Sequence, residues 1–282
     1  PNTVTTIKEE AFFNSKLESV AIPNAVATIG TGAFGACETL TAISVNSTNT
    51  AYSSNEGVLY DKSQSLLHTY PGGKTGTFAV PATVTKINNE AFYGSNVAAV
   101  AINDKTQSIG DKAFNSCKEI TSIDIPSSVS TIGQSAFENS SKLEAINVNG
   151  NNTKYSSGEG VLYDKNKTQL ITYPENKQGA SIQIPGTVSS IENAAFSGSK
   201  LISVNIPSSV TVIKENAFKN NSKLEAIEIP SSVKTIQNLI FSGCTELKDV
   251  TVKWGTPLSV PEDIFKDVNT ANVTLHVPIG KE

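Results

Sequence analysis

The chain repeats a short motif built around one phenylalanine, and this repetition constrains the fold more than any other feature. In the typical copy a Val-x-x-Ile pair precedes Ala-Phe, and a run close to Leu-x-x-Ile-x-Ile-Pro follows it. Six of the eight gaps between motif phenylalanines are 22 to 24 residues long, and the other two are 58 and 59. These phenylalanines are Phe12, Phe34, Phe92, Phe114, Phe137, Phe196, Phe218, Phe241 and Phe265. Such a period predicts a repeat solenoid, whose coils bury their apolar sides only against their neighbours.

The pattern within one repeat predicts a β-rich coil with a short helical or 3₁₀ segment. Helical spacing relates Ile109, Ala113, Phe114, Cys117 and Ile120. Residues 120–125 then alternate in polarity, which predicts a short strand that Pro126 terminates. Residues 129–132 predict a second short extended piece. Each coil would thus add rungs to a parallel sheet, and the phenylalanines would stack inside.

The two long gaps contain a second repeat. Residues 52–70 and 155–173 share the run Gly-Val-Leu-Tyr-Asp-Lys and lie 103 positions apart. Two apolar runs separated by a polar stretch predict a two-stranded hairpin in each block. Six of the seven tyrosines lie in these blocks. Because tyrosine offers both an apolar ring and a hydroxyl, packing of the hairpin and stacking against a sugar are both open.

The 103-residue offset predicts the domain organisation. We expect one continuous right-handed solenoid over residues 1–282, with two hairpin-bearing coils inserted. Its modules would span roughly 34–136 and 137–240, with a partial unit before them and a cap-like unit, 241–282, after them. Pro1 aligns with Pro23 within the repeat, so the chain begins inside a coil. We expect a leader or further repeats to precede it, and the terminal unit to be cut short.

Two motifs resemble a known repeat family. The run Ile-Pro-Ser-Ser-Val-x-x-Ile-x-x-x-Ala-Phe at 125–137 and 206–218 is similar to the BspA-like, Treponema-type leucine-rich repeats of bacterial surface proteins. The Gly-Val-Leu-Tyr-Asp-Lys block at 57–62 and 160–165 is a second hallmark. The resemblance covers essentially the whole chain. It implies a leucine-rich-repeat solenoid that is secreted or held at the cell surface and binds a host or bacterial surface protein, or a glycan.

Charge and hydropathy limit the classes of partner that the chain is expected to bind. The formal net charge is −4, all 22 basic residues are lysine and arginine is absent, so nothing in the composition favours nucleic acid. No run of 18 apolar residues occurs, so we expect no direct membrane insertion. We expect a monomer.

Catalytic chemistry has little support in the sequence. His68 and His276 lie about 200 residues apart, and the three cysteines occupy one repeat position, three residues after the phenylalanine, at Cys37, Cys117 and Cys244. We therefore predict no catalytic residue, metal site or cofactor. Two alternatives to a binding module stay open. One is a structural spacer, and the other is a polysaccharide-degrading parallel β-helix, although such lyases generally use arginine and clustered aspartate.

The candidate ligand site is a column of outward residues, the middle positions of the Ile-x-Ile strands. The first members of the column are small, and the later ones are polar or charged. The predicted binding residues are Asp124, Asn147, Gln183, Asn205 and Glu228. This column is either ordinary solvated strand surface or a flat, mildly acidic strip that binds an extended ligand.

Overall fold

The computed structural model describes residues 2–279, and almost all of their regular secondary structure is β. The chain divides into two compact units, the first with residues 2–143 and 148–154 and the second with residues 144–147 and 155–279. Pro1, aligned above with Pro23, and residues 280–282, the end of the predicted cap-like unit, lie outside the described residues. The single continuous domain and its module boundaries stay a prediction.

The first unit is built from short strands that recur once or twice in each coil. They are β1 (Thr6–Ile7), β2 (Ser19–Ile22), β3 (Thr28–Ile29), β4 (Ala42–Val45), β5 (Tyr52–Asn55), β6 (Val58–Asp61), β7 (Leu66–Thr69), β8 (Thr77–Ala79), β9 (Lys86–Ile87), β10 (Ala99–Ala101), β11 (Ser108–Ile109), β12 (Ser122–Ile125) and β13 (Thr131–Ile132).

The second unit repeats this order after β14 (Ala145–Val148), the strand in which the chain passes between the units. The remaining strands are β15 (Tyr155–Gly158), β16 (Val161–Asp164), β17 (Gln169–Thr172), β18 (Ser181–Gln183), β19 (Ser190–Ile191), β20 (Ser203–Asn205), β21 (Val212–Ile213), β22 (Ala226–Ile229), β23 (Thr235–Ile236), β24 (Asp249–Val252) and β25 (Thr274–His276). A 3₁₀ helix, Thr270–Asn272, precedes β25.

Parallel pairing between coils confirms the predicted solenoid. In the first unit β2 pairs with β4 and β8 with β10, while the two-residue strands β9, β11 and β13 form a second parallel ladder. In the second unit β18, β20, β22, β24 and β25 form one parallel sheet, and β19, β21 and β23 form another parallel ladder. Each coil therefore contributes two rungs, as the Ile-x-Ile and Val-x-x-Ile patterns predict.

The predicted helical segment around each phenylalanine is wrong, because successive tight turns take its place. Within residues 2–279 the only helix is the 3₁₀ turn before β25. In the coil of Phe114, the backbone φ is +51° at Lys112 and +58° at Ser116, values that a right-handed helix excludes. Pairs of positive φ four residues apart recur in other coils, for example at Ala194 and Gly198.

These turns form a third ladder between coils, because alternate N–H groups point in different directions. The N–H of Ala113 and that of Asn115 each donate to the carbonyl three residues earlier and close a turn. The N–H of Phe114, between them, donates instead to Ala136 O of the next coil, at 2.8 Å. A helix would use every N–H internally. The turns satisfy the buried backbone and join neighbouring coils together.

The phenylalanine side chains stack in a phenylalanine column within each unit, as predicted. In the first unit Phe92 and Phe114 have ring centroids 4.8 Å apart, and in the second Phe196 and Phe218 lie 5.1 Å apart. Phe34 to Phe241 are buried, whereas Phe12, at the start of the column, is 39% exposed. Each added ring buries apolar area against its neighbour and contributes aromatic stacking.

The position three residues after the phenylalanine is a buried slot that requires a hydrogen-bond donor. Cys117 Sγ lies 3.2 Å from Phe92 O of the preceding coil, and Ser140 Oγ donates to Phe114 O at 2.7 Å. Cys244 Sγ lies 3.0 Å from Phe218 O. Small donors fit this space, which explains why cysteine, serine and asparagine alternate there along the sequence.

The hairpin blocks are three-stranded, one strand more than predicted. β6 pairs antiparallel with β7 as expected, but the polar residues 52–55 also form β5, which pairs antiparallel with β6. β7 then pairs in parallel with β9, so the hairpin enters the second ladder. In the second unit β15, β16, β17 and β19 have the same arrangement.

A tyrosine replaces the phenylalanine where the hairpin returns to the solenoid. The Tyr70 N–H donates to Ala91 O at 2.8 Å, and its ring lies 5.0 Å from Phe92. Tyr173 does the same in the second unit, where its ring lies 5.4 Å from Phe196. The hairpin coil therefore keeps the phenylalanine column continuous with its neighbour, although its own path is different.

A buried asparagine terminates the coil before each hairpin. Asn49 is 1% exposed, and its Nδ2 donates to Pro23 O at 2.8 Å and to Val26 O at 2.9 Å. Its Oδ1 accepts from the N–H groups of Ala51 and Tyr52. Asn152, 103 residues later, makes the same kind of bonds to Pro126 O and Val129 O. One amide thus satisfies backbone groups that no ladder reaches.

Replacing Asn49 with alanine should therefore destabilise the first unit. The Val26 carbonyl and two N–H groups would lose the partner that Asn49 provides, and each group left unsatisfied costs about 1–3 kcal/mol. Pro23 O would keep its bond from the Val26 N–H, at 3.3 Å. We expect a clearly lower urea midpoint for Asn49→Ala. Asn55→Ala, at an exposed position of β5, is the control and should change the free energy of unfolding by less than about 0.5 kcal/mol. Equal effects of the two substitutions would contradict the assigned role of Asn49.

The slot cysteines should be chemically inert in the folded protein. Burial raises the pKa of the Cys117 and Cys244 thiols to about 12, so almost no reactive thiolate forms at pH 8. We expect a disulfide reagent such as Ellman's reagent to modify them at least about a hundredfold more slowly in the native state than in urea. Cys117→Ser should fold, because Ser140 already occupies the same slot. Rapid native labelling of Cys117 would show that the slot opens.

Candidate binding surface

The sheet of the second unit presents a continuous row of polar side chains. The middle residues of its strands are in register: Gln183 pairs with Asn205, Asn205 with Glu228, Glu228 with Thr251, and Thr251 with His276. Four of the five are exposed and Thr251 is half-buried, whereas their strand neighbours Val204, Ile227 and Val250 are buried. We call these five residues the polar column. Adjacent members lie one strand spacing apart, about 4.8 Å.

The structure brings together three of the five residues predicted to bind a ligand. Gln183, Asn205 and Glu228 are consecutive members of the polar column. Asp124 is exposed on β12 of the first unit. Asn147 is exposed on β14, which the hairpin strands β15 to β17 separate in sequence from β18. Gln183, Asn205 and Glu228 thus lie on one sheet, and the role of all five predicted residues as ligand contacts stays a prediction.

The polar column is less acidic than its sequence indicates. The Glu228 carboxylate lies 3.2 Å from the Lys253 ammonium group. His276 Nε2 lies 2.8 Å from Asp249 Oδ1 on the same sheet. Both pairs are about half exposed, so they contribute little to stability. Lys253 offsets the charge of Glu228, and the His276 ring contacts the Asp249 carboxylate. The surface is polar and hydrogen-bonding rather than strongly anionic.

Small side chains flank the polar column on its open face. Ser181, Ser203 and Ala226 form the neighbouring row, in register from β18 to β22, and all three are exposed. Since these residues are short, the amide and carboxylate groups of the polar column stand above them. An extended chain could lie along this row within hydrogen-bonding distance of several strands at once.

The hairpin tyrosines Tyr60 and Tyr163 are not a stacking surface. Tyr60 is 1% exposed and Tyr163 is 3% exposed, so neither ring offers a face to a sugar. Burial raises the pKa of both phenols to about 12. Packing therefore explains their repetition at equivalent positions, and the alternative of sugar stacking on these rings is wrong.

His68 is a buried structural residue rather than a surface one. It is 5% exposed, its ring packs edge-on against Tyr52, and its Nε2 lies 3.1 Å from Ile29 O. Its Nδ1 lies 2.9 Å from Thr69 Oγ1. Burial lowers the pKa of the imidazole, and the hydrogen bond to Ile29 O opposes this only in part. Through the contact with Ile29 O, the neutral ring links the hairpin of the first unit to β3.

Residues 2–279 contain no group of three or more histidine, cysteine, aspartate or glutamate side chains placed to bind a metal ion. Within the same residues, no helix is long and apolar enough to cross a lipid bilayer.

Comparison with known proteins identifies the type of repeat. The model of the BspA-type leucine-rich repeat region, six copies long, matches residues 1–64, 69–179 and 172–280. No curated protein matches the sequence.

Solved bacterial proteins have a similar fold. A leucine-rich repeat protein from Eubacterium ventriosum is 25% identical with a TM-score of 0.64, and the match covers 93% of this chain and 66% of that one. The chain thus spans slightly less than two thirds of that protein's length. A leucine-rich cell surface protein from Faecalibacterium prausnitzii is 23% identical with a TM-score of 0.64, covering 98% and 83% of the two chains. The pneumococcal vaccine antigen PcpA is 19% identical with a TM-score of 0.62, and the match covers 98% of this chain and 74% of that one.

The buried His68 should make the first unit less stable in mild acid. Its pKa is lower in the folded than in the unfolded state, so the unfolded chain binds the proton more readily. Stability should therefore fall as pH decreases below about 6.5, by up to about 1.4 kcal/mol per pH unit for one proton.

Urea unfolding at pH 7.5 and 5.5 measures this loss. His68→Ile, which copies Ile171 at the equivalent position of the second hairpin, should reduce the difference between the two pH values. Asn55→Ala, the exposed and non-titrating position used above, should leave it unchanged. An unaltered pH dependence in His68→Ile would show that other groups cause it.

Proposed function

Because the chain belongs to the BspA-type leucine-rich repeat family, we propose that it is a non-catalytic binding module of a secreted or surface-held bacterial protein. Its partner would be a surface protein or a glycan, bound along the open face of the sheet of the second unit. The family and the repeat architecture support this function. The Faecalibacterium prausnitzii protein with a similar fold is a cell surface protein, which agrees with the proposed location.

The polar column is the observation that carries the proposal. Gln183, Asn205 and Glu228 offer amide and carboxylate groups at a regular spacing, and their strands are held by a buried core. Their side chains leave that core, so they can vary without loss of the fold. A partner would gain affinity from several weak contacts along the sheet rather than from one deep pocket.

A structural spacer is the second candidate function. The phenylalanine column and the backbone ladders would give a spacer its stiffness without any ligand. A spacer needs no specific side chains on its open face. Binding that depends on the polar column therefore separates the two functions.

The triple variant Gln183→Ala, Asn205→Ala and Glu228→Ala tests the proposal. Wild-type protein is first screened against arrays of matrix proteins and glycans. Loss of three hydrogen bonds, each contributing roughly 0.5–1.5 kcal/mol, should then weaken binding of any ligand found by at least about tenfold. Circular dichroism should show an unchanged fold.

A matched triple variant in the same coils is the control. Ser189→Ala, Thr211→Ala and Lys234→Ala change exposed positions beside the short strands of the second ladder. This variant should bind like wild type. Equal binding by both triple variants would exclude the polar column, and a wild-type protein that binds nothing on either array would favour the spacer.

A further inference from the structure

The second unit contains a cleft beside β18 that shares Gln183 with the polar column and Ser181 with the row beside it, and is otherwise lined by different residues. Its volume is about 310 Å³, at the lower end of the range for small-ligand sites, about 300–1,000 Å³. The hairpin strands β15 and β16 line one side, and the segment that leads into β18 lines the other. The side chains that matter for the argument are Glu159, Tyr163, Lys167, Tyr173, Lys177 and Gln183.

The two hairpin coils differ in side-chain size at the position of the cleft. In the first unit Phe78, the middle residue of β8, lies 4.9 Å from the Tyr70 ring and 6.0 Å from Phe92. In the second unit the middle residue of β18 is Ile182, which pairs with Val204 as Phe78 pairs with Val100. The smaller isoleucine has no ring to place against Tyr173, and the cleft lies at this position.

Two lysines give the cleft a positive charge that the first hairpin does not reproduce. Lys167 lies with its ammonium group 5.6 Å from the centre of the Tyr163 ring. Its equivalent in the first unit is Gln64, while the equivalent of Lys177 is Lys74, whose ammonium group donates to Glu56 O at 2.9 Å. Among residues 2–279, Lys177 forms no ion pair. With one carboxylate, Glu159, the lining carries a net charge of +1.

Neutral polar groups complete the lining. Gln183 provides an amide, and Ser181, Tyr163 and Tyr173 provide hydroxyl groups. Burial raises the pKa of the Tyr163 phenol to about 12, so at neutral pH it stays protonated and able to donate. Val161, Ile182 and Pro185 add apolar surface. The cleft thus combines cations, hydroxyl and amide groups, and apolar patches in a small volume.

We propose that this cleft binds a small ligand that carries one carboxylate and several hydroxyl groups, the chemistry of an acidic sugar. Lys167 and Lys177 neutralise the carboxylate, since hydrogen bonds to a charged group are the stronger ones. Gln183 and the hydroxyl groups bind the sugar hydroxyls, and Ile182 contacts the apolar face of the ring. The cleft shares Gln183 with the polar column, but the two lysines and Ile182 lie outside it, so variants at these positions test the cleft apart from binding along the open sheet.

Saturation-transfer NMR with glucuronate tests the proposal, with glucose and acetate as matched probes. At about 10 mM glucuronate, roughly ten times a dissociation constant of about 1 mM, wild-type protein should show clear saturation transfer. Glucose lacks the carboxylate and acetate lacks the ring, so both should bind at least about tenfold more weakly. Equal binding of acetate would show that the cleft recognises a carboxylate alone, and absence of glucuronate binding would overturn the proposal.

Two variants locate the binding. Ile182→Phe places in the cleft the side chain that the first hairpin has at Phe78, and it should abolish glucuronate binding while β18 stays folded. Lys177→Gln keeps the shape of the cleft and should weaken binding about tenfold or more, the loss expected for a hydrogen bond to a charged group. Phe78→Ile is the control in the first hairpin and should leave binding unchanged. Wild-type affinity in both Ile182→Phe and Lys177→Gln would overturn the assignment.

Discussion

The hydrogen bond from a motif phenylalanine to the next coil, made by Phe12, Phe92, Phe114, Phe196, Phe218 and Phe241, is the interaction on which each unit depends. The Phe114 N–H donates to Ala136 O, while the N–H groups on either side of it close turns within the coil. This alternation lets one segment both bend sharply and bond to its neighbour. It also fixes the distance between coils, so the rings stack and the slot side chain of one coil meets the phenylalanine carbonyl of the coil before it. Neither unit has a core that exists without these contacts.

Most of the fold could be predicted from the sequence, since periodicity reports which residues share an environment. The 22–24-residue spacing indicated the stacked phenylalanines, and the Ile-x-Ile and Val-x-x-Ile patterns indicated the two ladders. The helical prediction was wrong because spacings of three and four also suit consecutive tight turns. Residues with positive φ, such as Lys112 and Ser116, mark the difference. The polar strand β5 has no apolar alternation, so no pattern in the sequence identified it.

The candidate surface was predictable only in part. Strand alternation correctly placed Gln183, Asn205 and Glu228 on the outside, but it could not show that a hairpin interrupts the row between β14 and β18 in sequence. Ion pairs such as that of Glu228 with Lys253 join neighbouring coils, so the alternation within one strand could not predict them. The cleft depends on a difference between equivalent residues, Phe78 and Ile182. A comparison of the two hairpin blocks residue by residue is the signal that could have found it.

The hairpin coil has a consequence for how such a protein can evolve. Its last strand enters the ladder of short strands, and Tyr70 occupies the place of a phenylalanine beside Phe92. The coil that follows therefore meets the same backbone and ring pattern as it would after an ordinary repeat. Recombination within a gene could add, delete or exchange hairpin blocks without forcing the next coil to change. Duplicated blocks would then be free to diverge at single positions. One copy could keep a large side chain that packs against the hairpin, while the other acquires a smaller one and space for a ligand.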